Sequence, residues 1–165
     1  MKFAIEQISD ATQLRRAFGC FPSGVTALCA EVDGAPVGMA ASSFTSVSIS
    51  PALVSVCIQR SSTTWPKLRQ RAIIGLSVLA EGQDALCRQL ASRSVDRFAG
   101  IEWDAAASGA IFINGSIVIM ECTVHEELLA GDHVIALLEV QGLHAKPETA
   151  PLVFHKSSYR RLAPT

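Results

Sequence analysis

The sequence predicts an all-β domain, a barrel carrying a few short helices, and three observations lead there. Runs of strand length rich in Val, Ile, Thr and Cys recur along the chain, turn residues separate them at short intervals, and only two or three segments have helical spacing. A βαβ sheet would instead need a long crossover, usually a helix, between each pair of parallel strands.

The first element is a short helix, ATQLRRAF, with Asp10 placed as its N-cap and Gly19 at its close. GVTALCAEV and APVGMAAS follow as strands. Asp33-Gly34 between them is a two-residue hairpin signal, because both positions of that turn need positive φ. PALVSVCIQ is the next strand. TTWPKLRQR is the second helix, with Thr64 as cap and Pro66 in the first turn, where its missing N–H leaves no bond unmade. AIIGLSVLA reads as a strand and QDALCRQLASRS as a helix, with Ala85, Leu86, Leu90 and Ala91 at helical spacing. SIVIMECTVHEELL and HVIALLEVQGLHA are two long strands joined by AGD, and PLVFHKSSYRRL adds one more short strand. No repeat or low-complexity tract interrupts them, so residues 1–165 read as a single domain.

Composition narrows the function classes. A chain of 165 residues, 49% hydrophobic and 18% charged, is long and apolar enough to bury a sizeable core. No apolar run approaches the roughly 18 residues of a membrane span. A formal charge of -1 provides no basic field for nucleic acid or an anionic membrane, so neither is expected as a partner. The five cysteines, Cys20, Cys29, Cys57, Cys87 and Cys122, are odd in number and mostly set in apolar runs, as expected of buried thiols in a reducing cytoplasm. No CxxC or HxxxH spacing indicates a metal, and the first residues lack the pattern of an export signal.

Catalytic motifs are absent. No GxGxxG follows a strand, no phosphate-binding P-loop or GxSxG elbow occurs, and the four His do not cluster with Cys or carboxylates. What remains is a set of hydroxyl- and Gly-rich junctions beside strands. The fullest is PVGMAASSFTSVSISP, Pro36 to Pro51, with one Thr and five Ser threaded by Val37, Met39, Phe44, Val47 and Ile49. Apolar threading and flanking strands disfavour a linker. In isolation the stretch suits either a bulge or Ser/Thr turn, or a ligand surface.

Taken in order, FPSGVTALCA, PVGMAASSFTSVSISPALVSVCI, RSSTTWPKL, LASRSVDRFAGIEW, ECTV, GDHVIALLEV and PLVFHKSSYRRL resemble the flavin reductase family of FMN-binding split barrels. These are the small reductase components of two-component flavin-dependent monooxygenases. The resemblance implies a Greek-key type split β-barrel, homodimeric, in which NADH or NADPH reduces FMN or FAD and the reduced flavin leaves for a separate monooxygenase. It implies that Met39, Ala41, Ser42, Ser43, Phe44 and Thr45 line the flavin ring, where small residues allow close backbone approach and hydroxyls both donate and accept. It places the ribityl chain and phosphate at Gln59, Ser61, Ser62 and Thr63, at a helix start, with Arg93, Arg97 and Phe98 adding charge and a wall. His133, in GDH at a turn, would dock the nicotinamide and is the one candidate catalytic residue, with Phe21, Pro22, Ser23 and Gly24 shaping the same side. Tyr159 and Arg161 would close the pocket or seal the barrel end. One departure is the Asn114-Gly115 turn and apolar strand of GAIFINGSIVIMECTV, where the family more often carries an aromatic. A non-catalytic flavin carrier and an oxidase resembling the pyridoxamine phosphate oxidases are the alternatives.

Overall fold

The computed structural model describes residue 5, residues 7–93 and residues 96–163. Asp10 accepts a 2.8 Å hydrogen bond from the backbone N–H of Gln13 and starts helix α1 (Ala11–Gly19), as its side-chain type predicts. Gly19 is the last helical residue and Cys20 caps the end. There follow β1 (Ser23–Gly24), β2 (Thr26–Val32), β3 (Ala35–Ala41), β4 (Thr45–Ile49), β5 (Ala52–Gln59), α2 (Trp65–Leu68), β6 (Ile74–Val78) and α3 (Asp84–Ala91). Then come β7 (Trp103–Ala105), β8 (Ile111–Ile113), β9 (Val118–Ala130), β10 (His133–Ala145), β11 (Val153–His155) and β12 (Ser158–Arg160).

Seven strands form one antiparallel sheet in the order β3-β2-β6-β9-β10-β5-β4. The Asp33-Gly34 turn has φ of 52° and 76° at its two residues, the conformation its sequence calls for, and brings Val32 opposite Ala35. β2 is apolar at nearly every position because it is buried on both faces. Leu28 and Ala30 point into the barrel with Val54, Val56, Ile58, Ile74, Leu76 and Leu138, while Ala27 and Cys29 point outward into a second core under α3 and the β7–β8 hairpin. Gly75 makes that double layer possible. A Cβ there would lie 2.1 Å from the carbonyl oxygen of Ile111, so only glycine lets β8 lie against the sheet at that point.

Three elements depart from the sequence reading. The serines Ser46 and Ser48 belong to a strand, β4, which pairs with β5 with a register shift between them. Its alternation is masked because it is an edge strand with little buried on either face. The closing segment is a hairpin, β11–β12, turned by Lys156 and Ser157 at φ 49° and 58°, residue types that give no turn signal. The β7–β8 hairpin was also illegible, each strand having only three residues. No helix among the described residues is long and apolar enough to cross a membrane.

Candidate functional site

β3, one end of the sheet, comes up against β5, the strand next to the other end, without forming a ladder, and the edge strand β4 lies beyond β5. Ser43 sutures the seam at one point: its Oγ donates to the carbonyl of Cys57 at 3.0 Å and accepts from its N–H at 2.9 Å. A serine hydroxyl thus stands in for the backbone pair a closed barrel would have. From this suture the seam opens into a groove of about 980 Å³, walled by Pro36–Ser43 on one side and by residues 57–59 and 61–64 on the other, with the end of α3 and the residues after it above.

Most of the predicted contact residues meet in that groove. Met39, Ala41, Ser42, Ser43, Gln59, Ser61, Ser62, Thr63, Arg93, Arg97, Phe98 and His133 all line it. Phe44 and Thr45 do not: Phe44 packs against the barrel core, and Thr45 opens β4 opposite Ser55. Phe21, Pro22, Ser23 and Gly24 also lie off the groove wall of this chain. Ser23 and Gly24 form β1 against β11, and Phe21 is 77% exposed. Tyr159 donates to Cys87 Sγ at 3.0 Å in the second core and Arg161 pairs with Glu81 at 2.9 Å, so neither closes the groove. The Asn114-Gly115 turn that departs from the family pattern lies outside it too, lining a separate cavity of about 300 Å³.

The helix start differs from expectation. Thr64 holds the N-cap position of α2, but its side chain makes no cap bond; Ser62 Oγ does so instead, accepting from the N–H of Thr64 at 3.3 Å and of Trp65 at 3.1 Å. Thr64 Oγ1 instead accepts from Arg97 Nη1 at 2.9 Å, and the same nitrogen reaches the carbonyl of Gly38 at 3.3 Å. α2 is one turn of four residues, too short for a macrodipole of any size. Attraction for an anion therefore falls to side-chain cations on the wall, Lys67, Arg93 and Arg97. Lys67 was missed by sequence reading. Its position three residues after Thr64, on the turn that opens the helix, is the signal that would have found it.

Phe98 is buried, edge-on to Trp103 at 6.4 Å, and its ring tip would lie 2.8 Å from a Cβ on Gly38. Gly38 is thus the notch that lets the wall above the groove dock on β3. At the other rim, His133 Nδ1 lies 2.7 Å from Asp132 Oδ1. That hydrogen bond and the neighbouring imidazole hold the Asp132 carboxyl below its usual range. An ordered Nδ1 contact fixes the ring orientation. Burial pushes the thiols of Cys29 and Cys122 up to about 12, leaving the exposed Cys20 and Cys57 as the accessible ones, and Cys57 lines the groove. Among the described residues no His, Cys, Asp and Glu side chains group as a metal site.

Donors and walls of this kind suit a planar, phosphate-bearing ligand of nucleotide size. The volume lies at the upper end of small-molecule sites, the hydroxyls of Ser42, Ser61 and Thr63 carry no bond to the described residues, and cations stand on the wall. The comparisons agree. A model of the flavin reductase like domain matches residues 18–163. The actinorhodin polyketide dimerase of Streptomyces coelicolor is 40% identical over 147 residues, spanning 88% of this chain and 83% of that protein. The reductase subunit HsaB of a flavin-dependent monooxygenase from Rhodococcus jostii is 34% identical, spanning 94% of this chain and 80% of that protein. The solved structure of a Streptomyces globisporus NADH:FAD oxidoreductase, in complex with NAD and FAD fragments, superposes with a TM-score of 0.90 at 38% identity, covering 97% of this chain and 98% of that one.

Proposed function

The chain belongs to the flavin reductase like family, and from that premise we propose that it is an NAD(P)H:flavin oxidoreductase that reduces FMN or FAD and supplies the reduced flavin to a separate monooxygenase. The observation that supports it best is the groove itself: an opened barrel seam lined by small side chains and free hydroxyls, with cations on its wall and an oriented histidine among its lining residues. Flavin, when bound, supplies the hydride acceptor. Ala41 and Ser42 let the backbone approach the ring, with Met39 behind them. Gln59, Ser61 and Thr63 hold the ribityl chain and phosphate, and Lys67 and Arg93 balance its charge. Ser43, Ser62 and Arg97 shape this wall through their bonds to the protein, and Phe98 backs it. His133, held by Asp132, orients the nicotinamide so that the two reacting atoms lie in contact. The chemistry needs position more than acid or base groups, which agrees with a site holding one candidate catalytic side chain.

The protein is further read as one domain over residues 1–165, cytoplasmic, and homodimeric. Five unpaired cysteines, two of them exposed, support a reducing compartment. Ile49 and Leu129, exposed at 93% and 80%, support a second copy covering the β4 edge and the β9–β10 turn, with Phe21 and its neighbours offered to the nicotinamide side from that surface. The test is aerobic oxidation of NADH or NADPH by the purified chain with FAD or FMN, alongside its mass by light scattering. Oxidation of neither nicotinamide with either flavin overturns the reductase reading. If flavin binds without turnover, the chain is a carrier.

A further inference from the structure

We propose that Arg97 acts as a positioning residue, a strap across the open seam that sets affinity for the phosphate-bearing end of the flavin, and not as a direct phosphate ligand. This rests on the flavin reading above. The seam is bridged at two places. Ser43 joins it to Cys57 at one end, and at the other the Arg97 guanidinium ties β3, through the carbonyl of Gly38, to the start of α2, through Thr64 Oγ1. Ser43 bonds Cys57 directly, whereas Gly38 and Thr64 are joined only through the guanidinium. Much of the groove wall lies between the two bridges, with Pro36, Val37 and Lys67 beyond the second.

The strap is a designed contact by three signs. Thr64 is 8% exposed, so its hydroxyl needs a buried partner, and Arg97 is the one the described residues provide. Gly38 has no side chain because Cys29 Sγ and the Phe98 ring occupy that space, which brings the carbonyl within reach of Arg97 and seats the residue next to it in sequence. Ser62 and Thr64, whose hydroxyls face the same helix start, are both committed to protein bonds, so the ligand-binding hydroxyls Ser61 and Thr63 are held between two fixed neighbours. Loss of the strap frees that turn without removing any group that touches the ligand.

The test uses the full chain and the variants R97K, T64V and the double variant. Dissociation constants for riboflavin, FMN and FAD are measured by flavin fluorescence without nicotinamide, and the flavin KM and kcat by NADH oxidation. Lysine keeps the charge, but its side chain ends about one bond short of Nη1, the single nitrogen that reaches both acceptors. Thr64→Val keeps the guanidinium and removes its acceptor. A strap requires that R97K and T64V each weaken FMN and FAD about fivefold or more and riboflavin less than about twofold, that the double variant be no worse than either single one, and that the change fall in KM and not in kcat. If R97K binds FMN and FAD like the parent, or T64V has no effect while R97K does, Arg97 meets the phosphate directly and the proposal fails. Equal weakening of riboflavin also refutes it. Failure of the reductase reading is separate: the parent chain then oxidises no nicotinamide, whatever its variants bind.

Discussion

Replacing Ser43 by Ala separates two roles that one serine can have in such a groove. A serine at the flavin edge would spend its hydroxyl on the ligand, whereas here Oγ both donates to and accepts from Cys57, at 3.0 and 2.9 Å. Each bond is worth about 0.5–1.5 kcal/mol net, and since Cys57 is exposed its freed groups can take water, so the lower half of that range applies. The two bonds then give a loss of about 1–2 kcal/mol. With about 2–4 °C per kcal/mol for a chain of this size, Tm falls by about 2–8 °C. Urea unfolding should show the same change as a lower midpoint with the slope unaltered. Ser42→Ala is the matched control. Ser42 is exposed and carries no bond to the described residues, so its loss should cost less than about 0.5 kcal/mol of stability while weakening flavin binding. An S43A chain as stable as its parent would refute the suture. An S42A chain with unchanged flavin affinity would refute the ligand role of Ser42.

Four further outcomes are expected. Gly75→Ala places a methyl 2.1 Å from the Ile111 carbonyl oxygen, a backbone atom that cannot turn aside, so the variant should lose about 3 kcal/mol or more and melt far below the parent by circular dichroism. His133→Asn should raise the KM for the nicotinamide about tenfold, some 1.4 kcal/mol, while the flavin dissociation constant stays within about twofold. The Asp132 carboxyl titrates below its unfolded value because of His133, so its contribution is present above about pH 4 and fades as pH falls through the lowered value. The Tm of D132N should therefore lie apart from the parent's at neutral pH and converge with it in stronger acid. Iodoacetamide near neutral pH should label Cys20 and Cys57 and spare Cys29, Cys87 and Cys122, and saturating flavin should protect Cys57 alone, as read by peptide mass.

What the sequence made legible follows from where each signal is stored. The Asp33-Gly34 turn, the Asp10 cap and the long strands of β9 and β10 are local, so residue types alone reveal them. β4 was hidden because an edge strand with both faces open has no alternation to show, and the β11–β12 turn because Lys156 and Ser157 adopt positive φ without the usual residue types. In the groove, the positions of Ser61, Thr63, Arg93 and His133 follow from the ordered motifs, and the structure brings them to one groove. The division of labour among the hydroxyls was not readable. Ser43 and Ser42, or Ser62 and Ser61, are the same residue one position apart, and only tertiary partners decide which binds protein and which is left free.

That division explains why a search for catalytic side chains along this chain returns so little. A closed barrel would use the backbone groups of β3 and β5 on each other, and nothing would be left to bind a ligand. Holding the two strands apart, with one hydroxyl at one end and one guanidinium at the other, leaves a strip of polar backbone and small side chains unpaired along a rigid scaffold. A reaction that needs two ring systems stacked in contact can be served by such a strip, because its barrier falls mainly through positioning. The same design predicts where variation is tolerated. Changes in the two bridges alter how tightly flavin is held and leave the transfer step nearly intact, since no bridging group touches the reacting atoms. Changes at His133 should act on the nicotinamide alone. On the proposed reading, affinity for flavin is set at the seam and affinity for the nicotinamide at the start of β10, so variants should alter the two independently.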